Sequence, residues 1–178
     1  QFVEINWDTK EVELNAKSID CIWNGLTINP ERKETMEITN PYVKNAQVVL
    51  MKGDATYNGT ESLIDKTVAA EQGSAGEDTI KADDNLNQAS YVPKTLQTEC
   101  LMELKAGTVD AAVLDLTLAN TMTGEGTSYE DIIIVDHLAQ ENYGVAFRKG
   151  SDICAEVNKI FDEFVADGTM ATLAEKYG

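Results

Sequence analysis

"SIDCIWNGLTINPERKETM", residues 18–36, decides how the chain is read. Its first part, SIDCIWNGLTI, is a nearly continuous apolar run of strand length, the pattern of a strand buried in a parallel sheet. Asn29 then offers an N-cap, and Pro30 stands at the first helical position, where its missing N–H costs nothing. A short helix is therefore expected over residues 30–37, which makes the stretch one strand-to-helix step of an α/β fold. Arg32 falls at the third helical position, where the helix dipole disfavours a cation by about 0.3–1 kcal/mol. Two compensations fit the spacing. Arg32 pairs on an exposed face with Glu31 or Glu34, or Arg32 and the backbone N–H groups around Thr27 converge on one anion, a guanidinium–carboxylate contact at a helix start.

The same rhythm continues outward. Toward the N-terminus, QFVEINW alternates like a strand from Phe2 through Ile5. Asp8 can cap a following helix, with Glu11 as capping-box partner and Trp7 and Val12 as a hydrophobic staple. Toward the C-terminus, PYVKNAQVVLMKGD predicts an extended segment and KTVAAEQGSAGEDTIKADDNL a strand, a glycine turn and a helix. LMELKAGTVDAAVLD predicts a helix ending near Gly107 and a strand from Val109 to Leu114. YGVAFRKGS predicts a last strand with Ser151 as N-cap of a helix whose apolar face carries Ile153, Val157, Ile160, Phe161 and Phe164. Gly168 stops that helix and Thr169 opens a final one. Strand–helix alternation throughout implies an α/β chain with a parallel or mixed sheet covered by helices on both faces.

Composition narrows the function. The chain has 178 residues, 31 acidic against 14 basic, for a formal charge of −17. A nucleic-acid backbone needs a basic stripe, and none is present, so nucleic acid is not expected as a partner. An anionic membrane surface is disfavoured on the same ground. Cys21, Cys100 and Cys154 share no metal-ligand spacing, and their odd number leaves at least one thiol. Cys21, inside an apolar run, reads as a small buried hydrophobe. No apolar run reaches the roughly 18 residues of a membrane span. One histidine, His137, follows the apolar strand IIIVD and reads as a strand-end residue rather than a base. No nucleophile elbow, phosphate loop or dinucleotide fingerprint occurs. Neither a catalytic residue, a metal nor a cofactor is expected.

Two other stretches share the logic of Arg32. QGSAG, residues 72–76, turns from a strand into a helix and offers N–H groups and the Ser74 hydroxyl; it is a plain βα turn or part of an anion site. Asp115 closes the apolar strand DAAVLD at its carboxyl end, where open α/β sheets bind ligands. It caps the next helix or faces a partner of opposite charge.

IDCIWNGLTINPERKETMEITNPYVKNAQVVLMK, LKAGTVDAAVLD, YGVAFRKGS and VNKIFDEFVADGTMATLAEKYG, in that order, resemble the polar amino-acid-binding proteins of ABC importers, the bacterial extracellular solute-binding family. The resemblance covers essentially the whole chain. It implies a two-lobed periplasmic-binding-protein-like α/β fold with a two-strand hinge, closing on a free amino acid at the cleft, in an extracellular or periplasmic setting, with the importer's membrane subunits as partner. It implies Thr27 and Arg32 on the ligand α-carboxylate, Ser74 as a further donor to it, and the Gly25 carbonyl and Asp115 on the α-ammonium. Asn24 is expected as a side-chain contact, and Glu71 either as a second one or as a rim charge. The lobes are expected as residues 1–50 with 147–178, and 51–146.

Two departures from the family pattern stand out. Ala75 replaces a hydroxyl-bearing or glycine position in the second-lobe turn, and the first strand and helix of the family, with their ligand-packing aromatic, precede nothing here before QFVEINW. A first lobe without that unit should expose sheet edge and apolar surface, and self-association by strand exchange is the expected remedy. The alternative functions are a degenerate or signalling fragment with weak or no binding, and a dehydratase-like enzyme on the same scaffold.

Overall fold

The computed structural model describes residues 1–177. In chain order its main elements are α1 (Lys10–Asn15), β1 (Ile22–Thr27), α2 (Pro30–Thr35), β2 (Met36–Ile38), β3 (Val43–Lys52), β4 (Thr67–Glu71) and α3 (Ala75–Ala82), followed by β5 (Ser90–Lys94), α4 (Gln97–Ala106), β6 (Ala111–Asp115), α5 (Leu116–Met122), β7 (Ile132–Arg148), α6 (Ile153–Ala166) and α7 (Thr169–Tyr177). The chain divides into two compact units. The larger comprises Gln1–Lys10 and Asn45–Glu141, the smaller Glu11–Lys44 and Asn142–Gly178. The changeovers thus fall within β3 and β7, at 44/45 and 141/142, rather than at 50/51 and 146/147. The first ten residues also belong with the larger unit. They are held there by the Lys10 ammonium on the Gly73 carbonyl at 3.0 Å and by the Gln72 amide on Asp8 at 3.1 Å.

In the larger unit the strand order is β3-β6-β4-β5. β3 lies antiparallel to β6, with Gln47 opposite Asp115 and Leu50 opposite Ala112. β6 is parallel to β4, and β4 to β5, with Glu71 level with Lys94. Successive residues of β3 and β6 go to opposite faces, and both faces are apolar. Val48, Leu50, Ala112 and Leu114 pack with Leu101 and Leu104 of α4, while Val49, Met51, Ala111 and Val113 pack with Ile80 of α3. Each fully buried leucine contributes about 1.5–3 kcal/mol. This explains why the strands read as near-continuous apolar runs.

The smaller unit is built on the C-terminal half of β7. β1 pairs with it antiparallel, Ile22 opposite Ala146 and Thr27 opposite Tyr143, and β2 pairs with it antiparallel, Glu37 opposite Phe147. The apolar run that suggests a buried parallel strand therefore makes an antiparallel pair. Buried strands of either kind need apolar residues on both faces, so that run does not specify direction. Between Ile22 and Leu26 the register shifts, at Gly25 with φ +61°, a bulge that glycine tolerates without strain. Val145, Phe147, Cys154 and Phe161 form the core. Trp23, Tyr42 and Phe161 meet at ring separations of 5.9–6.3 Å, a range that favours edge and tilted contacts. Cys21 is half-buried at the margin of this core, less enclosed than its apolar surroundings suggest.

Several local expectations change. Phe2–Ile5 forms no strand, and Phe2 is fully exposed, because alternation makes a strand only where a neighbouring strand takes its N–H and C=O groups. Asn6, not Asp8, caps the first turn, its side chain accepting the Asp8 N–H at 3.0 Å. Asp152 rather than Ser151 stands at the cap of α6. Of the apolar face of α6, Phe161 is buried, whereas Ile153, Ile160 and Phe164 remain exposed.

Two substitutions test these supports. A Cβ at Gly76, in the first turn of α3, would lie 2.9 Å from the Val113 carbonyl and 3.0 Å from Gln47 Oε1. Gly76→Ala should therefore lower stability to urea by about 1–3 kcal/mol despite its helix-favouring residue. Asn29 Oδ1 accepts the Arg32 N–H at 2.8 Å, so Asn29→Ala should cost about 1 kcal/mol in the same assay.

Candidate functional site

The expected site residues fall into two groups, one in each unit. In the smaller unit, β1 and α2 meet at Thr27–Pro30, and the Asn29 cap fixes the first turn of α2. Arg32 is only 6% exposed, which excludes a solvent-facing pairing with Glu31 or Glu34. Its Nη1 donates to the Thr27 carbonyl at 2.9 Å. Thr27 itself is buried. The helix start thus holds a buried guanidinium against the strand that feeds it, and the dipole cost is met by hydrogen bonding rather than by hydration. Gly25 lies two residues upstream in the bulge. Asn24 is exposed on β1.

In the larger unit, Asp115 closes β6. It holds the cap position of α5 but makes no side-chain cap bond. Its carboxylate is taken up by amides instead. Oδ1 accepts from Asn45 at 3.2 Å and Gln47 at 2.5 Å, and Oδ2 accepts from Gln97 at 2.5 Å. Gln97 completes the clasp by accepting the Asp115 backbone N–H at 3.0 Å. The same Asn45 and Gln47 amides donate to Glu141 at 2.5 and 2.8 Å. Asn45 also accepts from the Thr117 hydroxyl at 2.7 Å.

Ser74 is buried and caps α3, its Oγ accepting the Glu77 N–H at 3.2 Å. Glu77 reaches back to the Gly73 N–H at 2.6 Å, a reciprocal closure of the helix start. With that acceptor bond made, the Ser74 hydroxyl still carries one proton to donate. Glu71, at the end of β4, is 9% exposed. Burial and the neighbouring Asp115 charge push its carboxyl up to about 7, against the Gln97 hydrogen bond and the Lys10 charge, which pull it down. Lys10 is also buried, donating to the Trp7 and Gly73 carbonyls and lying 5.2 Å over the Trp7 ring.

The polar frame of this group, Asn45, Gln47, Gln97, Glu141 and Lys10, is not singled out by sequence reasoning. One signal was present: Asn45 and Gln47 are polar residues inside the otherwise apolar strand NAQVVLM, and buried polar side chains in a strand must be hydrogen-bonded. His137 is exposed on β7. Among the described residues no cluster of His, Cys, Asp and Glu could hold a metal ion, and no helix is long and apolar enough to cross a membrane.

What the arrangement can do chemically is bind charge. One group offers a buried guanidinium and helix-start N–H donors; the other offers carboxylates oriented by amides. Known proteins of similar sequence and fold are consistent with that chemistry. The L-arginine-binding protein of Pseudomonas aeruginosa is 28% identical over 185 residues, covering 99% of this chain and 71% of that one. A mutant form of ArgBP from T. maritima superposes with a TM-score of 0.89 at 30% identity, over 99% of this chain and 76% of that one. The ancestral amino acid-binding protein AncCDT-1, described as a precursor of cyclohexadienyl dehydratase, gives 0.88 at 29% identity, over 99% and 77%. The family model of bacterial extracellular solute-binding proteins, family 3, matches residues 1–178, and the chain belongs to that family.

Proposed function

We propose that this protein binds a free α-amino acid outside the cell or in the periplasm and presents it to the membrane subunits of an ABC importer. Two observations support this, each within its own unit: a buried Arg32 in the smaller and an amide-clasped Asp115 in the larger. A zwitterion has one carboxylate and one ammonium close together, and it needs one partner of each sign. Arg32 with Thr27 takes the α-carboxylate, joined by the Ser74 hydroxyl. Asp115 takes the α-ammonium with the Gly25 carbonyl.

A ligand that touches both poles stabilises the arrangement in which both contacts are made, and that population shift is the signal the importer reads. No covalent step is required. AncCDT-1 is itself named an amino acid-binding protein, so its later dehydratase connection does not by itself favour an enzymatic function for this chain.

Calorimetry with the twenty amino acids and cystine tests the assignment. A member of that panel should bind with micromolar affinity, about −8 kcal/mol, and be recovered unchanged. Arg32→Gln and Asp115→Asn should each weaken that binding by about 100-fold or more, measured well below each variant's own melting temperature, since both also remove hydrogen bonds of the fold. Retained affinity in either variant would sink the assignment, and conversion of the ligand would replace it with an enzyme.

A further inference from the structure

β1 stands at the end of the strand order and, among the described residues, is paired along one side only, to β7. Its other side presents backbone N–H and C=O groups as an open sheet edge. Ile22–Asn24, the stretch ahead of the Gly25 bulge, has no proline or lysine to protect that edge, and Trp23 is 54% exposed. α6 lies against this strand through Phe161, whose ring centroid is 6.2 Å from that of Trp23. Other apolar residues of that helix face, Ile153, Ile160 and Phe164, are exposed by 49, 44 and 37%. An open edge flanked by uncovered apolar side chains has the composition of a strand-docking surface.

The same chain carries a strand without a sheet. Phe2–Ile5 has the alternation of a strand, yet its backbone makes no hydrogen bond among the described residues, and Phe2 and Val3 are 104 and 53% exposed. We propose that these two features meet between molecules: Phe2–Ile5 of one copy adds as a strand to the open edge of β1 in a second copy. The second copy returns the contact, which closes a twofold dimer. Four residues suffice to span Ile22–Asn24. A strand from a different protein would cover the edge but leave Phe2–Ile5 unpaired, whereas a second copy supplies a partner to both at once. Charge opposes this contact, because each copy carries a formal −17. The drive is therefore apolar burial with backbone pairing, and association tightens as salt screens the repulsion.

Sedimentation velocity of the 178-residue chain over about a hundredfold range of concentration tests this. The parent should pass from monomer to dimer, and more readily in about 0.5 M than in about 0.05 M sodium chloride. Val3→Pro with Glu4→Pro removes two successive N–H groups, and one of them must face the docked edge because they alternate in direction. Ile160→Lys with Phe164→Lys puts charge on the apolar flank at two side chains that are exposed in the single chain. Each double variant should weaken dimerisation by about tenfold or more. An equimolar mixture of the two should regain association, since it brings one intact strand to one intact edge.

Amide hydrogen exchange locates the contact. The amides of Ile22–Asn24 that do not face β7, and those of Phe2–Ile5, should slow as concentration rises. A monomer at every concentration, association that weakens with salt, a dimer that both variants leave intact, or a mixture that stays monomeric would overturn the inference. So would a dimer with no new protection at Ile22–Asn24, which puts the interface elsewhere. Protection there already in the dilute monomer would also overturn it, because another part of the same chain would then cover the edge. None of these readouts needs a ligand, so the outcome is independent of amino-acid binding.

Discussion

A carboxylate at the end of a buried strand has to be hydrogen-bonded, and the larger unit is arranged around meeting that need for Asp115. The donors come from β3, through Asn45 and Gln47, and from α4, through Gln97. The clasp thereby ties two neighbouring antiparallel strands and the helix on one face of the sheet at a single point. The antiparallel register that places Gln47 opposite Asp115 is the one that also stacks Val48 on Leu114 and Leu50 on Ala112. A slip of one residue would turn Gln47 into the apolar core and strand the carboxylate. Packing and polar satisfaction thus select the same register, which is the kind of agreement between levels that gives a chain one structure.

The smaller unit solves the converse problem for a cation. A guanidinium at a helix start opposes the dipole, yet burial beside the Thr27 carbonyl gives it a partner that water would otherwise supply. Asn29 and Pro30 fix the helix start, and Gly25 supplies the bulge two residues before Thr27. Three residues with unusual backbone preferences within six positions therefore set where the positive pole stands.

The out-of-place charge was legible in the sequence because its cause is local, a cap, a proline and a cation within one turn; its burial was not, because the spacing also fits an exposed pairing with Glu31 or Glu34. The strand–helix alternation was legible for the same reason, although β2 and β5 were not foreseen and β7 runs much longer than the strand expected at YGVAFR. What sequence reasoning missed depends on contacts distant along the chain. Asn45 and Gln97 lie 70 and 18 residues from Asp115, so nothing near Asp115 announces its clasp. Phe2–Ile5 has the alternation of a strand and no partner to pair with. Ser151 and Asp152 are both competent caps, and spacing does not separate them. The strand direction of β1 was misread because apolarity records burial and says nothing about orientation.

The amides around Asp115 have one further effect. A neutral dipole can orient a carboxylate without cancelling its charge, so the field of Asp115 survives the interactions that hold it in place. In a chain of formal charge −17, that field adds to a background of the same sign. It extends into solvent over roughly the screening length, about 10 Å at 0.1 M salt. Positively charged solutes are attracted before any contact forms, and dilution of the surrounding electrolyte lengthens the reach of that attraction. Encounter rate, as distinct from tightness of binding, is therefore sensitive to the ionic strength in which the protein works.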